Sequence, residues 1–243
     1  VKTGENYVKC NAAYSYGGAE YALKMINLNF DMNISKFITV GYKGLSEVID
    51  GLGGVYIDVS EAELPLLNGY QQAVIETDMM KGVGSFTPIT KTGYQLVNGV
   101  QACAYCRIRH SDSDFVRTSR QREVLMSMEE QAKKADVATL IKIFNNAMDD
   151  IYTSFSKEEI LEFLPQLVNY KIVAQDGFPQ ESLRTVANLG SKGSCVIPVD
   201  LESNVKWLHK FLFEDEEYTV TSSVKEISAK IQSDTASYIK KEY

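Results

Sequence analysis

No apolar run in the sequence approaches the roughly 20 residues that a membrane-spanning helix needs. No signal peptide opens the chain, which starts with the polar stretch Val1-Lys2-Thr3-Gly4-Glu5. That start leaves open a targeting or anchoring segment upstream. Histidine is nearly absent, with only His110 and His209, and there is one tryptophan. A zinc site wants four nitrogen or sulfur ligands, and the one C-x-x-C (Cys103-Ala104-Tyr105-Cys106) has no second pair to join it. A basic surplus is also lacking. The net charge is −7 and the pI about 5.0, the reverse of what phosphate contacts ask of a nucleic-acid-binding protein.

What is present is an ordinary globular composition, 44% hydrophobic and 23% charged. The length suits one large domain or two small ones. Cys10, Cys103, Cys106 and Cys195 read first as small apolar positions, with a disulfide as the alternative. Ala19, Ala22, Leu23 and Ile26 follow Gly17-Gly18 at helical spacing. Residues 37–40 and 55–59 read as strands, with a helix carrying Leu45, Val48 and Ile49 between them. Residues 60–92 read as a loop-rich excursion, with Pro65, Pro88 and several glycines. Residues 95–105 read as a helical face through Leu96, Val100 and Cys103. A helix is expected from near Asp114 to Lys134, another over 136–150, and a third capped by Ser156 with Glu159. Strands are expected at 172–173 and 195–199, and a helix from Leu201 to Phe213. A last helix, about Ser223 to Lys240, would be capped by Ser223 and Glu226 and bury Val224, Ile227 and Ile231. Helix, glycine turn, strand is the rhythm of an α/β fold.

Arginine is scarce and concentrated. Of six arginines, Arg107, Arg109, Arg117, Arg120 and Arg122 fall within sixteen residues, while nineteen lysines are scattered along the chain. Guanidinium is always charged, planar and forked, and it grips phosphate oxygens in pairs. Arg107 and Arg109 share a face if that segment is extended. Arg117 and Gln121 share a helical face, with Arg120 beside it. Asp114 is placed to cap that helix, whose N-terminus would add its own positive end. Asp112 and Asp114 offer carboxylates for an arginine, a metal or a proton. The alternative is a solvated salt-bridge ladder. Five arginines with few acids between them, in an acidic chain, favour an anion site.

The cluster sits within longer motifs. Residues Gly93-Tyr94-Gln95-Leu96-Val97-Asn98-Gly99-Val100-Gln101-Ala102, Tyr105-Cys106-Arg107-Ile108-Arg109, Asp114-Phe115-Val116-Arg117 and Arg120-Gln121 resemble the core of the LytR-CpsA-Psr family. Lys9-Cys10-Asn11-Ala12-Ala13-Tyr14 with Gly17-Gly18, and Val48-Ile49-Asp50-Gly51-Leu52-Gly53-Gly54-Val55, resemble two further motifs. The resemblance covers about residues 9–215 and implies a three-layer α-β-α domain with a central mixed sheet flanked by helices. That domain would occupy 1–220 without its upstream strands, followed by a C-terminal helix over 221–243.

The resemblance further implies a membrane-anchored phosphotransferase on the outer face of the cell membrane. Such an enzyme moves a teichoic acid or capsular polysaccharide from a polyprenyl diphosphate carrier to peptidoglycan. Arg107, Arg109, Arg117, Arg120 and Gln121 would bind the diphosphate, and Asp114 and Arg107 would be catalytic. Membrane lipid is an expected partner and nucleic acid is not. Magnesium is an expected cofactor with most of its ligands upstream, so no metal site is assigned within the chain. Leu96, Val100, Val124, Leu125 and Met128 could line an apolar pocket holding the lipid tail, but helical apolar stripes are more often core and they are not assigned to the site. Two other readings remain: a non-catalytic module that binds lipid phosphate or wall polymer, and a transcriptional attenuator.

Overall fold

The computed structural model describes residues 1–77, 84–109 and 114–239. In chain order the elements are β1 (Lys2–Thr3), β2 (Asn6–Tyr7), α1 (Ala12–Phe30), β3 (Ile38–Val40), α2 (Tyr42–Gly51), β4 (Val55–Val59) and α3 (Glu63–Ile75). Then come β5 (Gly93–Val97), α4 (Gly99–Arg107), α5 (Asp114–Lys134), α6 (Val137–Ala147), β6 (Ile151–Thr153) and α7 (Lys157–Phe163). Last are β7 (Arg184–Asn188), β8 (Ser194–Pro198), α8 (Leu201–Phe213) and α9 (Ser222–Thr235). The chain divides into two compact units, one of Val1–Phe37 with Asp176–Tyr243 and the other of Ile38–Gln175.

The second unit is built around α4, whose residues Gly99 to Cys106 are all buried. A helix so enclosed must satisfy its first N–H groups within the protein. The Asn98 side chain accepts from the Gln101 N–H at 2.9 Å, and the Gln101 side chain accepts from the Asn98 N–H at 2.9 Å. Asp50, at the end of α2, accepts from the Gly99 N–H at 2.7 Å. Gly99 lies so close to α2 that a Cβ there would stand 2.3 Å from the Ser46 carbonyl oxygen.

Strand β4 supplies the apolar wall. Its alternation buries Val55, Ile57 and Val59 and turns Tyr56 and Asp58 outward. It pairs antiparallel with β5, from Val55 opposite Val97 to Val59 opposite Gly93. Gly54 enters the strand at φ +100°, where a Cβ would also meet the Val97 carbonyl at 2.7 Å.

The α/β class holds, but the described strands form four two-stranded antiparallel sheets, where one mixed central sheet is expected. A physical reason is visible at β4. The N–H groups on its far edge donate to side chains of α5: Tyr56 to Ser127 Oγ at 2.7 Å and Asp58 to Glu123 Oε1 at 2.8 Å. A helix closes the edge that a strand would otherwise extend.

Other departures are local. Residues 63–75 are helical, because Pro65 sits in the first turn, where its missing N–H costs nothing. Residues 95–97 belong to β5, and the helix starts only after Asn98. Residues 172–173 are not a strand, and β7 is an unexpected partner for β8. Ser156 and Glu159 form the expected capping box on α7.

The first unit packs Phe30, Ile197, Leu201, Val205, Val224 and Ile227 into one core. The C-terminal helix α9 is therefore part of a core, not an addition to a domain ending at 220. Its N-cap is Thr221 rather than Ser223, and the Thr221 hydroxyl is held by Asp31 at 2.6 Å. Val224, Ile227 and Ile231 are buried as expected, while Leu212 of α8 is exposed.

Gly99→Ala is expected to lower stability by about 1–3 kcal/mol, the usual cost of overpacking a tight contact. Chemical denaturation checks this, and an unchanged midpoint would contradict the close approach of α4 to α2.

Candidate functional site

Arg107 is the last residue of α4 and leaves the core where the helix ends. Its guanidinium carbon lies 5.0 Å from the ring centroid of Tyr42, the first residue of α2. Its Nη1 atom is buried and has no hydrogen-bond partner among the described residues. A buried donor without a partner costs free energy unless a ligand satisfies it. Ile108 is fully buried, and Arg109, beyond it, is exposed.

The other half of the cluster is on α5. Arg117 is half-buried, and the Gln121 amide donates to the Cys106 carbonyl at the end of α4, at 3.4 Å. Gln121 therefore sits beside the exit of Arg107. Asp114 is the first residue of α5. Its side chain lies outside the described residues, as do His110 and Asp112.

Arg120 has a different setting from the one its spacing suggests. It is 5% exposed. Its Nε donates to Glu63 of α3 at 2.7 Å and its Nη1 to the Ile108 carbonyl at 3.1 Å. Its guanidinium also lies over the Tyr105 ring, 5.8 Å from the centroid. These contacts enclose the guanidinium in protein. Burial would raise the Glu63 carboxyl, but hydrogen bonds from Ser60 and Arg120 outweigh it and hold it below its usual value.

All four cysteines are free. Burial pushes the Cys103 and Cys106 thiols up to about 12, far from the thiolate range. They pack as small apolar residues in α4.

Further along α5 the same face changes character. Arg117, Gln121, Leu125, Met128 and Ala132 follow one another at spacings of four, four, three and four, a single stripe about 22 Å long. Its last three residues line an apolar cavity of about 350 Å³. Val48 and Leu52 of α2 and Leu167 also line it. Of the five residues that could line an apolar pocket, Leu125 and Met128 line this cavity. Leu96 is exposed on β5, and Val100 and Val124 belong to the core.

The family model for LytR-CpsA-Psr proteins matches residues 2–199. The chain belongs to the LytR-CpsA-Psr family. It is 28% identical over 187 residues to the polyisoprenyl-teichoic acid–peptidoglycan teichoic acid transferase TagV of Bacillus subtilis, covering 75% of this chain and 42% of that one. The chain thus spans less than half the length of that curated relative. The crystal structure of B. subtilis TagV superposes with a TM-score of 0.61 at 25% identity, over 87% of this chain and 76% of that chain. A transcriptional regulator from Enterococcus faecalis superposes with a TM-score of 0.67 at 21% identity, over 95% and 78%. That second likeness concerns the fold alone.

Magnesium takes hard oxygen ligands, carboxylates above all. Among the described residues no group of three or more His, Cys, Asp or Glu side chains converges. The described carboxylates that α3 and α5 bring to the cluster, Glu63 and Glu123, are engaged. Glu63 holds Arg120 and Ser60, and Glu123 accepts from the Tyr105 hydroxyl and the Asp58 N–H. The described donors do not fit the ion.

Arg120→Ala leaves Glu63 without its buried partner, and it is expected to cost about 3–5 kcal/mol of stability. Arg107→Ala is expected to cost less than about 1 kcal/mol, because it removes a guanidinium with an unsatisfied donor. Urea unfolding of both variants checks the contrast, and equal losses would contradict it. Glu63 titrates lower folded than unfolded. Its share of stability is therefore full above about pH 4.5 and lost as the pH falls through the depressed folded value.

Proposed function

We propose that this chain binds a polyprenyl-diphosphate-linked glycopolymer and transfers the polymer to peptidoglycan. One observation carries the reading: a single face of α5 runs from Arg117 and Gln121 to the apolar cavity at Leu125, Met128 and Ala132. Helix α2 repeats the arrangement, with Tyr42 beneath Arg107 and Val48 and Leu52 at the cavity. A ligand with an anionic head and a long apolar tail fits both ends at once. The diphosphate would lie against Arg107, Arg109, Arg117 and Gln121, and the prenyl chain would enter the cavity. The name of the relative TagV, a polyisoprenyl-teichoic acid–peptidoglycan teichoic acid transferase, supports the same ligand class.

In the proposed reaction a hydroxyl oxygen of the acceptor attacks the phosphorus next to the glycan. A new P–O bond forms, the bond to the bridging oxygen breaks, and polyprenyl phosphate leaves. The acceptor hydroxyl gives up its proton. Charge grows on the leaving phosphate, and guanidinium groups already in place stabilise it without reorganising. Arg107 serves this best, because its Nη1 donor is otherwise unsatisfied. Asp114 is assigned to orienting an arginine or to taking the acceptor proton, as the family resemblance implies. The setting proposed is the outer face of the cell membrane, where the lipid carrier lies. Among the described residues no helix is long and apolar enough to cross a membrane.

Titration calorimetry with a short prenyl diphosphate and with pyrophosphate tests this. Arg107→Ala and Arg117→Ala are each expected to weaken both ligands about ten- to hundredfold, the worth of a charge-assisted hydrogen bond. Leu125→Asp is expected to weaken the prenyl ligand and leave pyrophosphate unchanged. Wild-type affinity in both arginine variants would sink the site. Transfer from a lipid-linked glycan separates an enzyme from a binding module.

A further inference from the structure

The peptide unit that joins Ile108 to Arg109 is held at both of its polar ends. Its carbonyl accepts from Arg120 Nη1 at 3.1 Å, and its N–H donates to the Tyr70 hydroxyl at 3.2 Å. The two partners come from different helices, α5 and α3. Arg120 is in turn fixed by Glu63 at 2.7 Å. Glu63 also accepts from the Ser60 hydroxyl at 2.6 Å and from the Ser60 N–H at 3.0 Å.

Glu63 and Tyr70 are seven residues apart, so they lie on one face of α3, two turns and about 10 Å from each other. Leu67, between them on that face, is fully buried and anchors the helix in the core. One rigid helix therefore supports the peptide twice, directly through Tyr70 and indirectly through Glu63 and Arg120.

That peptide separates Arg107 from Arg109. Rotation about it would change the direction in which each arginine leaves the backbone. With Ile108 packed in the core and both polar ends of the peptide bonded, that rotation is blocked.

We infer that Tyr70, Glu63 and Arg120 are positioning residues for the anion grip: they fix the Ile108–Arg109 peptide so that Arg107 and Arg109 are set before the ligand arrives. This rests on the proposed diphosphate site and adds a support to it. Arg120 acts through the backbone and does not touch the phosphate. The gain is pre-organisation, since a grip that is already shaped loses less freedom on binding.

Tyr70→Phe removes one hydroxyl and keeps the ring. Pyrophosphate affinity is measured by calorimetry at a temperature where wild type and variant are both folded, as their unfolding curves establish. Exchange of the Arg109 amide proton is followed by NMR. The variant is expected to bind pyrophosphate about three- to tenfold more weakly, the worth of one hydrogen bond, and to exchange the Arg109 amide faster. Glu63→Gln, which removes the charge that fixes Arg120, is expected to weaken binding by a similar factor. A wild type that binds pyrophosphate, with unchanged affinity in Tyr70→Phe and in Glu63→Gln, would overturn the positioning role and leave the anion site standing. A loss that only follows the unfolded fraction would overturn it too. A wild type that binds no pyrophosphate would overturn both readings.

Discussion

The arginine end of the molecule depends on the complete burial of one short helix. Residues Gly99 to Cys106 have no solvent-facing side, so α4 is fixed by everything around it. Small residues make this possible. Gly99 meets Ser46 of α2 at a distance that no side chain tolerates, and Ala102, Cys103 and Ala104 are fully buried. Close packing of this kind transmits position. Asn98 and Asp50 satisfy the start of the helix, and its other end delivers Arg107 over Tyr42. Burial also pushes up the thiols of Cys103 and Cys106, which are unbridged and pack as small apolar residues in α4.

From that fixed point the two ends of the site follow. Helices α2 and α5 both pass from the arginines to the apolar cavity, so the geometry joins a cationic end to an apolar space. Among the described residues Arg120 pairs with Glu63 on another helix, and the buried Nη1 of Arg107 has no hydrogen-bond partner.

Much of this was legible in the sequence where the signal is local. The alternation at Val55–Val59, the capping box at Ser156 and Glu159 and the stripe Val224, Ile227, Ile231 are short-range patterns, and each is found in the structure. The arginine cluster stood out by count alone. The helix at Glu63–Ile75 was hidden by Pro65, although Ser60 three residues before Glu63 and the apolar spacing Leu64, Leu67, Val74 would have marked it. What failed was everything that depends on burial between distant segments. Charge counting cannot tell Arg120 from Arg117, because the partner that buries Arg120 lies on another helix. Tyr70 carries no sequence signal for its contact with Arg109. Leu125 and Met128 were foreseeable at the cavity, but Val48, Leu52 and Leu167 reach it only through the fold.

The central claim is that one ligand spans the arginines and the cavity. A series of prenyl diphosphates of increasing chain length, each competed with pyrophosphate, tests it most directly. Affinity is expected to rise with each added isoprene unit until the cavity is filled, and pyrophosphate to displace every member of the series. Affinity that does not depend on chain length, or prenyl ligand and pyrophosphate bound together, would contradict it.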